Sequence, residues 1–143
     1  MAANSRMTIA VHVLAWLALA QRWGHAVLTS DQVAASVNTN PVIIRRCLGE
    51  LRRAGLVDVR HGAGAGWSLA RDPGQITLLE VHDAIGPGSL FGLHHTEPNL
   101  DCPVGKGIRP VLSQVYGGID RVVRRELASV SVADVLHDTL QVQ

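Results

Sequence analysis

Apolar residues recur at every third or fourth position along several stretches of the chain, which predicts helices with one buried face. The first helix is predicted over residues 5–23, with Ser5 as candidate N-cap and Gly24 as the stop. Its predicted inward face comprises Ile9, His12, Val13, Trp16, Leu17 and Ala20. A second, short helix is predicted from Ser30, its candidate N-cap, to Val37.

A tight turn at Asn38 and Thr39 leads into a third predicted helix. Asn40 can accept a hydrogen bond from the first helical turn and Pro41 suits the first helical position, so together they predict a helix start. Gly55 is expected to end this helix as a left-handed residue. The expected apolar face consists of Ile44, Cys47, Leu48 and Leu51.

The pattern then changes to that of a β-hairpin followed by a short helix. Residues 56–60 alternate between apolar and polar, a Gly-rich bend covers residues 61–66, and residues 67–70 form the returning strand. Residues 76–81 open another helix, and residues 86–105 are loop-like.

A long helix over residues 106–129 and a last helix over residues 131–140 complete the prediction. Ser131 is the N-cap of the last helix, with Asp134 three residues later. Pro110 is expected only in the first turn of the long helix, because proline disrupts a helix interior. An apolar stripe on the long helix comprises Ile108, Val111, Leu112, Val115, Ile119, Val122 and Val123. Pairing of this stripe with a second copy of the chain is favoured over packing against the N-terminal domain.

The order helix, short helix, turn, helix, hairpin is that of a winged helix-turn-helix. The predicted fold is therefore mainly α with a small β-hairpin. It divides into a winged helix-turn-helix over 1–75, a short helix and sensor loop over 76–105, and a dimerisation helix with the C-terminal helix over 106–143.

Composition adds an asymmetry of charge to this picture. Residues 1–75 hold eight arginines and no lysine against four acidic residues, whereas residues 76–143 hold five basic and eight acidic residues. A basic half of this kind indicates contact with a polyanion. Two cysteines exclude a disulfide-stapled scaffold, and one Phe, one Tyr and three Trp disfavour a protein that stacks single-stranded bases.

The apolar stretch of residues 7–20 raises the question of a targeting segment. It is shorter than a membrane span, but Arg6 before it and Ala18-Leu19-Ala20 at its end resemble a secretory signal. Its helical spacing favours a core helix instead, which predicts a cytoplasmic protein with no membrane partner.

The third helix is predicted to enter the major groove of double-stranded DNA. Arg45 and Arg46 near its start suit bidentate contacts to guanine, and Arg52 and Arg53 suit the phosphate backbone. The remaining candidate DNA contacts are Asn38, Thr39, Asn40, Val42, Arg60 and His61. The alternatives are a solvated arginine face and an Asn40 that only caps the helix.

Several segments together resemble the Rrf-two (Rrf2) family of bacterial repressors. They are Arg52-Arg53-Ala54-Gly55-Leu56-Val57 before the Gly-rich wing, Ile76-Thr77-Leu78-Leu79-Glu80-Val81, and Ser131-Val132-Ala133-Asp134-Val135-Leu136. Residues 37–42, the pair Arg45-Arg46 and residues 102–106 are similar to its YwnA-like branch. The resemblance implies a homodimer that binds palindromic promoter DNA.

Well-studied members of the family that this chain resembles carry three cysteines in the loop before the long helix, which hold an iron–sulfur cluster, whereas the YwnA-like branch lacks this motif. This chain has only Cys102 there, so we expect no cofactor, although His94, His95 and Asp101 lie nearby. Three interpretations stay open: a thiol switch at Cys102, a divalent-metal site with His94 and His95, and a structural loop. In the structural interpretation the junction is covered by Phe91, Leu93 and Leu100. The small-molecule or redox effector is unknown.

Two other classes of protein remain as alternatives. Cys102 with His94 or His95 could serve a small thiol- or metal-dependent hydrolase, with Asp101 orienting the base. A protein-interaction module could also keep the fold without binding DNA. The order of the elements favours the DNA-binding interpretation, and we do not expect an enzyme.

Overall fold

The computed structural model describes residues 5–86 and 88–142. Within these ranges the chain forms six α-helices and one two-stranded antiparallel sheet, which confirms the mainly α fold with a hairpin. The elements are α1 (Ser5–Arg22), α2 (Ser30–Val37), α3 (Pro41–Arg53), β1 (Val57–Arg60), β2 (Gly66–Leu69), a 3-10 turn (Pro73–Gln75), α4 (Leu78–Ala84), α5 (Pro103–Ala128) and α6 (Val132–Gln141). None of the helices in the described ranges is long and apolar enough to cross a bilayer.

The chain divides into two compact units. One comprises the described parts of Met1–Pro87 and Ala128–Gln143, and the other comprises Gly88–Leu127. Helix α6, which the sequence groups with the long helix, therefore belongs to the first unit. The functional division into DNA-binding, sensor and dimerisation segments stays a prediction.

Helix α1 is the central element of the first unit. It contacts α2, α3, α4, β2 and α6, so it is buried on a broader face than its spacing predicts. Ile9, His12 and Trp16 of the predicted face are only half-buried, and Ser5 lies inside the helix rather than capping it. The buried residues are Ala10, Val13, Leu14, Leu17, Ala18 and Ala20.

Helix α2 is capped one residue earlier than its sequence suggests. The Thr29 hydroxyl accepts the Gln32 N–H at 3.2 Å, and the Gln32 side chain accepts the Thr29 N–H at 2.8 Å. This reciprocal capping box makes Thr29 the N-cap, so the assignment of Ser30 was wrong. Both residues suit the position, and only Thr29 has a glutamine three residues later to complete the box.

The turn between α2 and α3 follows the prediction. Asn38 ends α2 in the left-handed conformation, with φ of 61°. The Asn40 side chain accepts the Val42 N–H at 2.8 Å, and Pro41 occupies the first turn of α3. At the other end, Gly55 has φ of 76°, as expected of the residue after a helix.

The hairpin packs beside the start of α2 through one close backbone approach. Its strands pair from Val57 with Leu69 to Arg60 with Gly66, and Trp67 also bridges to Leu28. Gly66 has φ of 154°, and a Cβ there would lie 2.8 Å from the Leu28 carbonyl oxygen. The wing therefore needs glycine at this position.

The chain returns to the first unit through a second backbone bridge. Thr77 pairs with Ser131, and the Val132 N–H donates to the Ile76 carbonyl at 2.9 Å. The Ser131–Asp134 capping box forms as predicted at the start of α6. Leu136 of α6 is buried.

Helix α5 differs from its predicted form at its start. It begins at Pro103 rather than near residue 106, so Pro110 lies inside the helix and not in its first turn. Proline removes the hydrogen bond to the Lys106 carbonyl, and both residues are exposed, so water can solvate that carbonyl. No described residue of α5 is fully buried.

Candidate nucleic-acid interface

Helix α3 has one buried and one exposed face, as its sequence predicts. Val42, Arg45, Arg46, Arg52 and Arg53 are all exposed. The opposite face buries Ile44, Cys47, Leu48 and Leu51. The core thus fixes which side of α3 the arginines occupy.

The exposed residues of α3 recur at every third or fourth position and so share one stripe. Val42 lies at its beginning, the pair Arg45 and Arg46 one turn later, and the pair Arg52 and Arg53 in the last turn. Val42 is 52% exposed, which leaves an apolar contact surface at the leading turn. We call this stripe, together with the half-buried Gly49 between the two arginine pairs, the arginine face (residues 42, 45, 46, 49, 52 and 53).

The guanidinium groups of the arginine face have no partner within the described ranges. None of the side chains of Arg45, Arg46, Arg52 and Arg53 forms a hydrogen bond or an ion pair there. By contrast, Arg71 pairs with the Glu80 carboxylate, and that contact lowers the pKa of Glu80. The arginine face therefore offers four unneutralised charges to solvent.

The turn before α3 places three polar side chains beside its N-terminus. Asn38 and Asn40 are exposed, and Thr39 is half-buried. The side-chain oxygen of Asn40 accepts the capping hydrogen bond, so this residue does cap α3. Its amide N–H groups remain as donors, at the positive end of the helix dipole.

The tip of the wing, residues 60–65, is exposed throughout. Arg60 and His61 stand at its start, and within the described ranges the guanidinium group of Arg60 makes no hydrogen bond or ion pair. Gly62 and Gly64 have φ of 77° and 72°, which explains the glycine-rich bend.

A salt bridge fixes α3 to α1 at the edge of the arginine face. Arg6 Nη2 lies 2.8 Å from Glu50 Oε1 and 2.6 Å from Oε2. The two side chains line a cleft of about 150 Å³ together with Arg46 and Cys47. Burial, reinforced by the Glu50 carboxylate, raises the pKa of the Cys47 thiol to about 12, so Cys47 stays a neutral apolar group.

Gly49 is a member of the arginine face that the sequence pattern did not single out. Among the residues that the structure describes, a Cβ at this position would meet only Arg53 Nη1, at 3.7 Å, so their packing does not require glycine. Glycine inside a helix lowers stability relative to alanine, by about 1 kcal/mol. The sequence could have indicated Gly49 as a functional residue, because a glycine that is unfavourable for a helix lies at the centre of a charged stripe.

The predicted sensor residues lie in the second unit but form no shared site. Cys102 is exposed before α5, where backbone hydrogen bonds from Gly105 and Val104 lower the pKa of its thiol. His94 and His95 pack edge to face, with ring centroids 4.6 Å apart. Within the described ranges, no hydrogen bond joins Cys102 to either imidazole, and no three His, Cys, Asp or Glu side chains are grouped as metal ligands. The predicted nucleophile–base pair and metal-ligand set are therefore not assembled.

Comparison with known proteins finds one family and several relatives. The model of the Rrf2 family, described as "Iron-dependent Transcriptional regulator", matches residues 3–138. The chain is 37% identical over 134 residues to YwnA of Bacillus subtilis (strain 168), named as an HTH-type transcriptional regulator, covering 94% of this chain and 96% of YwnA. It is 31% identical over 126 residues to the HTH-type transcriptional regulator IscR of Cereibacter sphaeroides, covering 87% and 80%. The structure of T. potens IscR shares the fold, with a TM-score of 0.73, 22% identity and coverage of 100% and 91%.

The description of the family mentions iron, but the donor set of this chain does not fit an iron centre. Cys102 is the only cysteine of the loop, and no group of three donor side chains is assembled in the described ranges. The winged helix-turn-helix arrangement and the match over residues 3–138 are those of the family. The chain belongs to the Rrf2 family of helix-turn-helix transcriptional regulators.

Proposed function

We propose that this chain is a homodimeric, sequence-specific repressor that places α3 in the major groove of promoter DNA. The observation that carries the proposal is the arginine face, where four exposed guanidinium groups lack a partner within the described ranges. An α-helix fits the major groove, and contacts from its N-terminal half reach the base edges.

Arg45 and Arg46 are assigned to the bases. They lie in the first half of α3, and a guanidinium can donate two parallel hydrogen bonds to O6 and N7 of guanine. Val42, exposed one turn earlier, suits contact with a thymine methyl group. These three side chains therefore set sequence preference in the proposal.

The remaining candidates are assigned to the phosphates. Arg52 and Arg53 lie in the last turn of α3, and Arg60 and His61 lie at the start of the exposed wing tip. Asn38, Thr39 and Asn40 lie at the N-terminus of α3, where donors and the helix dipole favour an anion. Such contacts fix the register on DNA and carry no direct sequence information.

The proposed dimer uses a second exposed surface, on α5. The predicted stripe separates into a half-buried row, which includes Leu112, Ile119 and Val123, and an exposed seam. The seam alternates by three and four residues, as in a coiled coil. It comprises four exposed residues of the stripe, Ile108, Val111, Val115 and Val122, extended by the exposed Val104 and the half-buried Gly118. Val104, Val111 and Val122 are 68%, 57% and 55% exposed, so an apolar partner would be favoured.

Family membership supports regulation rather than catalysis. YwnA and IscR are named as transcriptional regulators, and the proposal transfers that role to this chain. A cytoplasmic location follows from this role. The effector remains open between a thiol-reactive signal at Cys102 and a small molecule, and the proposal requires no cofactor.

The test is selection of genomic DNA fragments by the purified full chain, followed by the same selection with Arg45→Ala and Arg46→Ala. We expect a palindromic motif for the wild type. Each variant should lose its preference at one base pair per half-site, and the binding free energy that discriminates that base pair should fall by about 1–3 kcal/mol. Arg22→Ala, which removes an exposed arginine at the end of α1, is the matched control.

Enrichment of no motif by the wild-type protein would contradict the proposal. Equal weakening on all sequences in both variants would reassign Arg45 and Arg46 to the phosphates.

A further inference from the structure

The second unit contains a cleft that shares only Ile108 with the surfaces used by the proposed function. It has a volume of about 310 Å³ and lies between the loop after α4 and the first half of α5. Leu93, Ile108, Leu112 and Tyr116 supply apolar and aromatic walls, and Arg109 and Glu97 supply charges. A concave apolar site with a few polar groups of this size is typical of small-molecule binding.

The two charges in the cleft do not neutralise each other. Within the described ranges, Arg109 and Glu97 form no ion pair. The guanidinium makes one long hydrogen bond, from Nη2 to the His94 carbonyl at 3.4 Å, which leaves its other N–H groups available. Arg109 is half-buried, so an anion beside it would be screened less than at the surface.

The aromatic wall is held in place by a neighbouring ring. Phe91 packs against Tyr116 with centroids 5.3 Å apart and planes inclined by 30°. Leu112 and Ile108 lie one and two turns before Tyr116 on α5, so the three side chains share one side of the helix. This side offers an apolar surface next to the unpaired guanidinium.

We propose that this cleft binds a free α-amino acid with an apolar side chain. Arg109 receives the carboxylate, Glu97 receives the ammonium group, and the ligand side chain packs against Leu112 and Tyr116. An acid alone would leave Glu97 as a repelling charge, whereas a zwitterion satisfies both groups. A peptide terminus lacks one of the two charges, so the free amino acid is the favoured ligand. Use of this ligand as a signal rests on the proposed DNA-binding function, but binding itself does not.

The test is calorimetric titration of the full, DNA-free protein with L-leucine and L-phenylalanine. Each probe has two matched analogues: isopentylamine and phenethylamine lack the carboxylate, and 4-methylpentanoate and 3-phenylpropanoate lack the ammonium group. We expect at least one amino acid to bind with a Kd of about 1 mM or below. Both of its analogues should bind more weakly.

Two variants assign the charges to their residues. Arg109→Gln should weaken binding by about tenfold or more, because it removes a charged hydrogen bond at a half-buried site. Glu97→Gln should weaken it by about two- to fivefold, because Glu97 is exposed. Arg121→Gln, an exposed arginine on the same helix, is the control and should bind as the wild type does.

Three results would overturn the inference: no binding of either amino acid, equal binding of the analogue without a carboxylate, or unchanged binding by a folded Arg109→Gln. The analogue comparison uses only wild-type protein, so it decides the matter if Arg109→Gln does not fold. Gel shifts on the same preparations separate the two proposals. DNA binding without amino-acid binding overturns this inference alone, and the reverse overturns the proposed function alone.

Discussion

At the scale of single residues, Gly49 best separates stability from function. It lies at the centre of the arginine face, where no described residue of the chain excludes a side chain. Because glycine inside a helix is unfavourable, its presence there is best explained by a close approach of the helix backbone to a partner. In the proposed function that partner is DNA.

Gly49→Ala should therefore stabilise the protein and weaken its complex with DNA. The free energy of unfolding in urea should rise by about 1 kcal/mol, because alanine has the higher helix propensity. The affinity for the selected operator, measured by fluorescence anisotropy, should fall because the methyl group holds α3 away from the groove.

Gly107→Ala is the matched control for this prediction. Gly107 is a helical glycine of α5 whose added Cβ would meet no described atom within 4 Å, so the variant should gain stability with no loss of DNA affinity. A Gly49→Ala protein that binds the operator as tightly as the wild type would show that the glycine serves no close approach.

The sequence predicted single residues well where the deciding contact is local. Asn40, Gly55 and the Ser131–Asp134 pair act within three residues of their partners, and each behaves as expected. The cap of α2 was misassigned because two adjacent residues suit the position, and the side chain of Gln32 decides between them. The N-cap is decided by this second side chain, so the preference of one residue type for the cap position does not identify it.

At the scale of elements, the Arg6–Glu50 bridge determines the environment of the arginine face. Glu50 follows Arg46 by four residues on α3, so the two could pair along the helix. In the structure Glu50 is paired with Arg6 of α1 instead, and Arg46 has no partner within the described ranges. The bridge thus leaves Arg46 available for the proposed base contact.

Arg6→Gln should weaken DNA binding through Arg46, because the released Glu50 can then pair with it. We expect the affinity for DNA to fall about tenfold, which is near the low end of the free energy that one bidentate contact to a base contributes. The double variant Arg6→Gln, Glu50→Gln lacks the same positive charge but should recover most of the affinity. Anisotropy titrations of both variants with one operator measure the difference.

Equal loss of affinity in the single and double variants would contradict this coupling. It would show that Arg6 acts through its own charge.

Most contacts between elements could not be predicted from the sequence. Arg6 and Glu50 are separated by 44 residues, so no local pattern could pair them. Pro110 was predicted in the first turn because proline removes a hydrogen bond from a helix interior. On the exposed surface of α5, water can take the place of that bond. The cleft beside Arg109 likewise depends on how residues 92–98 fold against α5.

At the scale of the whole molecule, the proposed dimer depends on the exposed seam of α5. Val115 lies at its centre and is 49% exposed. The sequence predicted an apolar stripe on this helix, but not that its members divide between a half-buried row and an exposed seam. Helical periodicity alone does not reveal that division, because it depends on tertiary packing.

Val115→Glu should convert the proposed dimer into a monomer, because it places like charges opposite each other in a symmetric interface. Sedimentation velocity should show the mass of one chain for the variant and of two for the wild type. Val142→Glu adds the same charge at a residue that is 85% exposed and outside α5, and it should remain dimeric. A dimeric Val115→Glu protein would place the interface elsewhere.

The most direct test of the central claim, that the arginine face binds the DNA backbone and bases, is the salt dependence of operator affinity. If a dimer neutralises ~6–10 phosphates, the affinity should fall by about 10³- to 10⁵-fold between roughly 50 and 200 mM salt. The double variant Arg52→Gln, Arg53→Gln should show a shallower dependence. An affinity that does not change with salt would contradict the account.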